Sequence, residues 1–330
     1  MTSRTRAFVV FSLSVMVVGV GSGLTAYYVG FPARAFSVRG PDELQYVPSD
    51  VAVVAYADVR EVMASALRQR MKRALPGQEN GQREFQDQTG INIETDIEHV
   101  VACLDKPAGD SKMPGSGMVL ARGLFDEVKI EALMREHGAV VESYKGKRLI
   151  LASPAGVAQA PELALSFLKP GLVAVGSASL IRRAVDLENG GANITSNDEV
   201  MNLVKSLDSG NAWAVGRFDA IRATIPSGLT QLPAITWFSV TGQVNDGINA
   251  VVRAEARDDE SATNLRDVVR GFLALAKLQS ASKPELQALV QSLELGGSGR
   301  TVALSFSVPG AVFDLIHGDL KKADDQRHAH

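Results

Sequence analysis

From Ala7 to Phe31 the chain carries no charged residue, and this run constrains the rest of the reading. About 20 apolar residues rising 1.5 Å each cover a hydrocarbon core of roughly 30 Å, so the run is long enough to cross a bilayer as a helix. A phosphate loop is rejected. Gly19, Gly21 and Gly23 are spaced G-x-G-x-G with Leu24 in place of the last glycine, and the apolar stretch before them is too long for the strand such a loop needs. Between signal peptide and anchor the choice is closer. Ala33-Arg34-Ala35 matches a small-x-small cleavage site and Arg4 and Arg6 supply a positive n-region. The run nevertheless exceeds the usual h-region of about 7–15 residues, and the alanines lie beyond its end. Tyr27 and Tyr28 sit where an interfacial aromatic belt belongs.

The expectation is an uncleaved single-pass anchor over residues 7–31. The short arginine-bearing terminus, residues 1–6, lies inside, and the body lies outside the cytoplasmic membrane on its periplasmic or extracellular side. Within the anchor, Gly19 and Gly23 stand one helical turn apart, and Ser22 and Ala26 form a second small pair on an adjoining strip. Such grooves let backbones approach closely in lipid, so self-association of the anchor is expected.

The chain has 330 residues and a net charge of −3, enough length for a large core and no basic field to recruit nucleic acid. Residues 32–45 read as a linker. In "DVAVVAYADVREVMASALRQRMKRAL" a strand at Val51–Ala57 gives way to helical spacing, with Val59, Val62, Met63, Ala66, Met71, Ala74 and Leu75 on one face and Asp58 as N-cap. "NAWAVGRFDAIRATI" repeats the pattern with Asp219 as cap; aligning Asp58 with Asp219 sets Val54 on Val215 and Asp50 on Asn211. Two related halves are expected, 46–193 and 194–317, followed by a solvated tail at 318–330. Further strand-to-helix units are capped by Asp126, by Ser177 or Ser179, and by Asp258 or Asp259. Hairpins are predicted at Lys145-Gly146, Lys169-Pro170-Gly171 and Asn245-Asp246-Gly247.

Alternation assigns faces. Val302, Leu304, Phe306 and Val308 oppose Thr301, Ala303, Ser305 and Ser307, while Ile248, Ala250, Val252, Ala254 and Ala256 oppose Asn249, Arg253, Glu255 and Arg257. The predicted class is α+β, with mixed, largely antiparallel sheets whose one face packs on helices and whose other meets water.

No catalytic constellation emerges. Histidine is confined to His99, His137, His317, His328 and His330, and the best metal cluster, "ETDIEH", is explained by an exposed helix start carrying Asp96 and Glu98, with Asp96 and His99 on one helical face. Cys103, the single cysteine, is read as a buried small side chain on a short helix. Ser280-Ala281-Ser282-Lys283 has serine-x-x-lysine spacing without companion motifs; Ser282 is better read as a helix cap before Pro284. Arg60, Arg68, Arg70, Lys72 and Arg73 read as a solvated helix face. Trp237 alternates away from Phe238 and Val240, which sets it on the open sheet face as a candidate ligand or partner surface. No cofactor, metal or catalytic residue is expected.

The runs "LQYVPSDVAVVAYADVREVM", "TGINIETDIEHVVACL" and "FLKPGLVAVGSASLIRRAVD" resemble an uncharacterised bacterial family of membrane-anchored extracytoplasmic proteins. The resemblance spans roughly Leu44 to Leu315 and implies the same topology; its motifs are structural and bring no active residue with them. The expectation is a membrane-tethered, non-catalytic binding or scaffolding protein of the cell envelope, its ligand unknown. The alternative is an envelope hydrolase whose site assembles from residues distant in sequence.

Overall fold

The computed structural model describes residues 41–74, 78–106, 116–152, 162–218, 233–280 and 284–310. The expected anchor 7–31 with Gly19, Ser22, Gly23 and Ala26, the caps Asp219 and Ser282, and the tail 318–330 lie outside the described residues. Among the described residues no helix is long and apolar enough to cross a membrane.

The body is α+β. Its strands are β1 Val53–Ala57, β2 Ile97–Leu104, β3 Gly117–Gly123, β4 Val140–Tyr144, β5 Lys147–Ala152, β6 Leu163–Lys169, β7 Leu172–Ser177, β8 Ala212–Arg217, β9 Ile235–Val244, β10 Ile248–Ala256, β11 Glu294–Gly296 and β12 Thr301–Val308. They form one 12-stranded sheet in the order β11-β12-β10-β9-β8-β1-β2-β3-β7-β6-β5-β4. Each pairing within it is antiparallel, so the expected mixed, largely antiparallel sheets are, among the described residues, one continuous and wholly antiparallel sheet. The three predicted hairpins join β4 to β5, β6 to β7 and β9 to β10. The first is a two-residue turn with Lys145 at φ 47° and Gly146 at φ 81°, the left-handed pair that such a turn between twisted strands favours.

At mid-sheet β1 pairs with β8: Val54 faces Val215, Ala55 faces Ala214 and Tyr56 faces Trp213.

Helices are α1 Val59–Ala64, α2 Ala66–Ala74, α3 Gln78–Thr89, α4 Ile93–Asp96, α5 Glu127–Glu136, α6 Ala178–Leu187, α7 Asp198–Lys205, α8 Asp259–Ser280 and α9 Pro284–Gln291. Asp58, Asp126 and Asp258 cap α1, α5 and α8, accepting from Glu61, Lys129 and Ser261 N–H groups. Ser177 holds the cap position of α6 without a side-chain cap bond.

Four expectations are corrected here. The single helix after Asp58 is broken at Ser65, whose extended backbone (φ −65°, ψ 150°) restarts the turn while its hydroxyl accepts from Arg68 N–H. That break shifts the phase, so Leu67 is buried and Ala66 exposed. The short helix around Cys103 is β2, where Val100 and Val101 suit a strand paired on both sides. The linker's end, Asp42–Tyr46, is a 3-10 turn that buries Glu43, Leu44 and Tyr46 in the core. Finally, helices cover both sheet faces. On the Tyr56 face, α6 buries Leu180, Ile181, Ala184 and Val185 over Met118, Leu120 and Ala174. On the opposite face, α5 seats Ile130 on Ile150, Leu165 and Val173, and α8 seats Ala262 and Leu265 on Ala256 and Val302.

Candidate functional site

Followed from β7 towards β12, the Tyr56 face changes character. Over β1 to β7 it is apolar and sealed by α6, and towards β8 Met201, Leu203 and Val204 of α7 pack against the same core as Trp213 and Trp237. Beyond β8 the same face presents polar rows fixed by the register. Ser239 lies opposite Arg253 and Arg253 opposite Ala303. The next row runs Thr241, Val251, Ser305, Glu294, and the one after it Gln243, Asn249, Ser307. The alternation that points Phe238, Val240, Ala250 and Leu304 at the opposite face forces these residues onto this one.

A cavity of about 420 Å³ opens over these rows, lined by Thr241, Gln243, Asn249, Ser305, Ser307 and Glu294, by Asp208, Ser209 and Ser292, and by the apolar Ala250, Val251 and Phe306. Ser292 Oγ sits 2.7 Å from Ser307 O and accepts from Ser307 N–H at 3.0 Å, tying the end of α9 to β12. Arg253 pairs through one guanidinium nitrogen with Asp208.

The floor is buried yet incompletely bonded. Thr241 is 3% and Gln243 6% exposed. Thr241 Oγ1, Gln243 Nε2 and Arg253 Nη1 have no hydrogen-bond partner among the described residues. An unsatisfied buried polar group costs about 1–3 kcal/mol, and interiors carry few of them. Three such groups on one patch of one sheet face, two of them lining a cavity, mark a place where the fold forgoes stability and leaves bonds for something else to make.

The other candidate residues are occupied in ways that explain them. His99 stands on β2, not on a helix with Asp96; Asp96 accepts from Asn92 N–H, and His99 Nε2 lies 2.9 Å from Glu43 Oε2. Arg122 clamps the other Glu43 oxygen at 2.7 Å. Burial alone would push the Glu43 carboxyl up, but hydrogen bonds from His99, Arg122 and backbone hold it down at about 2. Tyr56 stacks between His99 and Trp213 at 5.6 and 5.9 Å, and burial with nearby carboxylates keeps its phenol protonated. Of the basic helix, Arg60 pairs with Glu98, and Arg68 and Lys72 share Glu94. Trp237 lies on the expected face, half-covered, with Nε1 donating to Glu199 of α7. Ser280 donates to Lys277 O.

Cys103 is buried, 2% exposed, and burial, with Asp105 nearby, pushes its thiol up to about 12. It is therefore expected to resist iodoacetamide at pH 8 in the native chain and to react fully in urea, read as a single mass shift. Native alkylation at the urea rate would contradict the burial.

No family model matches the chain, and no curated protein matches it in sequence. Among solved structures, TP0453 in its crystal form I aligns over 84% of this chain and 98% of its own length at 10% identity, with a TM-score of 0.47. That similarity fixes neither fold nor function.

Proposed function

We propose that the chain is a membrane-tethered protein of the bacterial cell envelope whose body, outside the cytoplasmic membrane, binds a ligand without transforming it. The observation that carries the binding reading is the cavity on the polar end of the Tyr56 face, with its buried, unpartnered groups. Glu43, a carboxylate the fold buries, is neutralised by Arg122 and stands outside the cavity lining, so it favours a structural anion over an acid or base at work. The tether rests on the uncharged run Ala7–Phe31, in which Gly19, Ser22, Gly23 and Ala26 supply a strip for self-association. The halves 46–193 and 194–317 are taken as related units on the strand, cap and helix pattern that the sequence repeats around Asp58 and Asp219.

Location and binding are tested separately. The full-length chain is expected to resist carbonate extraction and to lose its body to protease added to spheroplasts; protection until detergent is added would reverse the topology. A small-molecule extract of the envelope is expected to raise the melting temperature of the full-length chain by several degrees, and to leave Ser305→Trp, whose indole fills the cavity, unmoved. Equal shifts in both, or none in either, overturn the binding reading.

A further inference from the structure

The bonds that the cavity leaves unmade narrow the ligand's chemistry. Gln243 Nε2 and Arg253 Nη1 are donors without an acceptor, and Thr241 Oγ1 can give or take. An apolar ligand would leave all three unpaired. An ammonium ligand fares no better at the two donors, because it has no lone pair to accept with. An anion would accept, but the described lining holds the carboxylates of Asp208 and Glu294 and no lysine or arginine, and the Arg253 charge beside it is already countered by Asp208. What remains is a neutral group that accepts from Gln243 and exchanges a bond with Thr241 while donating to Glu294 and to the serine oxygens, which is what a hydroxyl does.

Resting on the binding reading above, we infer that this cavity is a saccharide site, its ligand a neutral polyhydroxylated ring system held by Thr241 and Gln243 on β9 and by Ser305 and Glu294 on β12 and β11. A volume of about 420 Å³ holds on the order of one or two pyranose rings. The hydroxyls of such a ligand make bonds that no group among the described residues supplies, so the site recognises a pattern of hydroxyls and rejects analogues that lack them.

The test uses the full-length chain in lauryldimethylamine oxide micelles, a detergent without a sugar headgroup. The probes are N,N′-diacetylchitobiose and cellobiose, with inorganic phosphate and putrescine as charged competitors, read by saturation-transfer NMR and by melting temperature. A saccharide is expected to give transfer signals and a rise in melting temperature that phosphate and putrescine do not. In Thr241→Val with Gln243→Leu the affinity is expected to fall at least tenfold, while the unliganded variant melts no lower than wild type, since the substitutions remove unpaired groups and keep their volume.

A saccharide signal that persists in the double variant would put binding elsewhere and sink the site. Binding of phosphate or putrescine alone, lost in the variant, would overturn the saccharide assignment and leave the cavity a binding site. A shift with the envelope extract but with none of the probes would do the same. A stabilised variant with no probe or extract binding to wild type would mean that the cavity holds water, which ends both readings.

Discussion

Replacing Glu43 with alanine is expected to cost about 3–5 kcal/mol, read as a fall in the urea midpoint at pH 7. The side chain is 3% exposed and sits between Arg122 at 2.7 Å and His99 at 2.9 Å. Removing it strands a guanidinium against the core and unpins the turn that seats Leu44 and Tyr46. Glu43→Gln keeps the shape and is expected to lose less. The pH dependence separates charge from packing. The Glu43 carboxyl stands at about 2 in the folded chain against an ordinary 4.5, so the folded state favours the anion. Its contribution is whole above pH ~4.5 and is lost as pH falls through ~2, on the order of 3 kcal/mol across that window. In Glu43→Gln that part of the acid limb should vanish. An unchanged midpoint in Glu43→Ala, or an unchanged acid limb in Glu43→Gln, would show that the ion pair is idle.

A carboxylate at mid-sheet should be worse still. Val215 is fully buried opposite Val54, and Val215→Asp places an unpaired charge there, expected to remove more than about 4 kcal/mol, most of a typical domain's margin. Val215→Thr, close in volume with one hydroxyl added, is expected to lose about 1–2 kcal/mol and stay folded, which keeps the effect measurable. The chain's two tryptophans are Trp213 and Trp237, both on strands beside the seam, whereas far-UV circular dichroism reports the whole body. Because β1 and β8 belong to one sheet and the core at Tyr56 draws on both sides of the seam, the two signals are expected to shift together in urea. Midpoints that separate would mean that the two sides of the seam unfold independently.

What the sequence could disclose of this fold was what the chain decides locally. Lys145-Gly146 announces its turn because only a few residue pairs accept two left-handed conformations, and Asp58, Asp126 and Asp258 each cap a helix three residues away. The β10 and β12 faces were legible from alternation alone. The neighbourhood of Cys103 was not: Val100, Val101, Cys103 and Leu104 fit a helical stripe about as well as a buried strand, and the choice is made by β1 and β3 pairing on either side. Glu43 looked like linker because its partners lie 56 and 79 residues away. The cavity was half visible. Trp237, Ser239, Thr241 and Gln243 form a period-two row, but what singles out Thr241 and Gln243 is that β10, β12 and α9 arrive without partners for them, and an absence in space leaves no trace along a chain.

A sheet this wide must also stop somewhere, and how it stops bears on how copies tolerate crowding. Its two outermost strands are β11 and β4. β11 is three residues long and runs into Gly297 at φ 90°, which turns the backbone out of strand geometry before a foreign strand could gain a ladder. β4 is longer, but its Glu142 is bound by Arg182 of α6, and the turn that follows carries Lys145 paired to Asp186. Short edges and edges bearing charge are poor templates for a neighbour's backbone. Copies packed at high density would meet along these strands at borders that do not invite edge-to-edge polymerisation, so a body rich in open hydrogen-bonding surface can remain a separate particle.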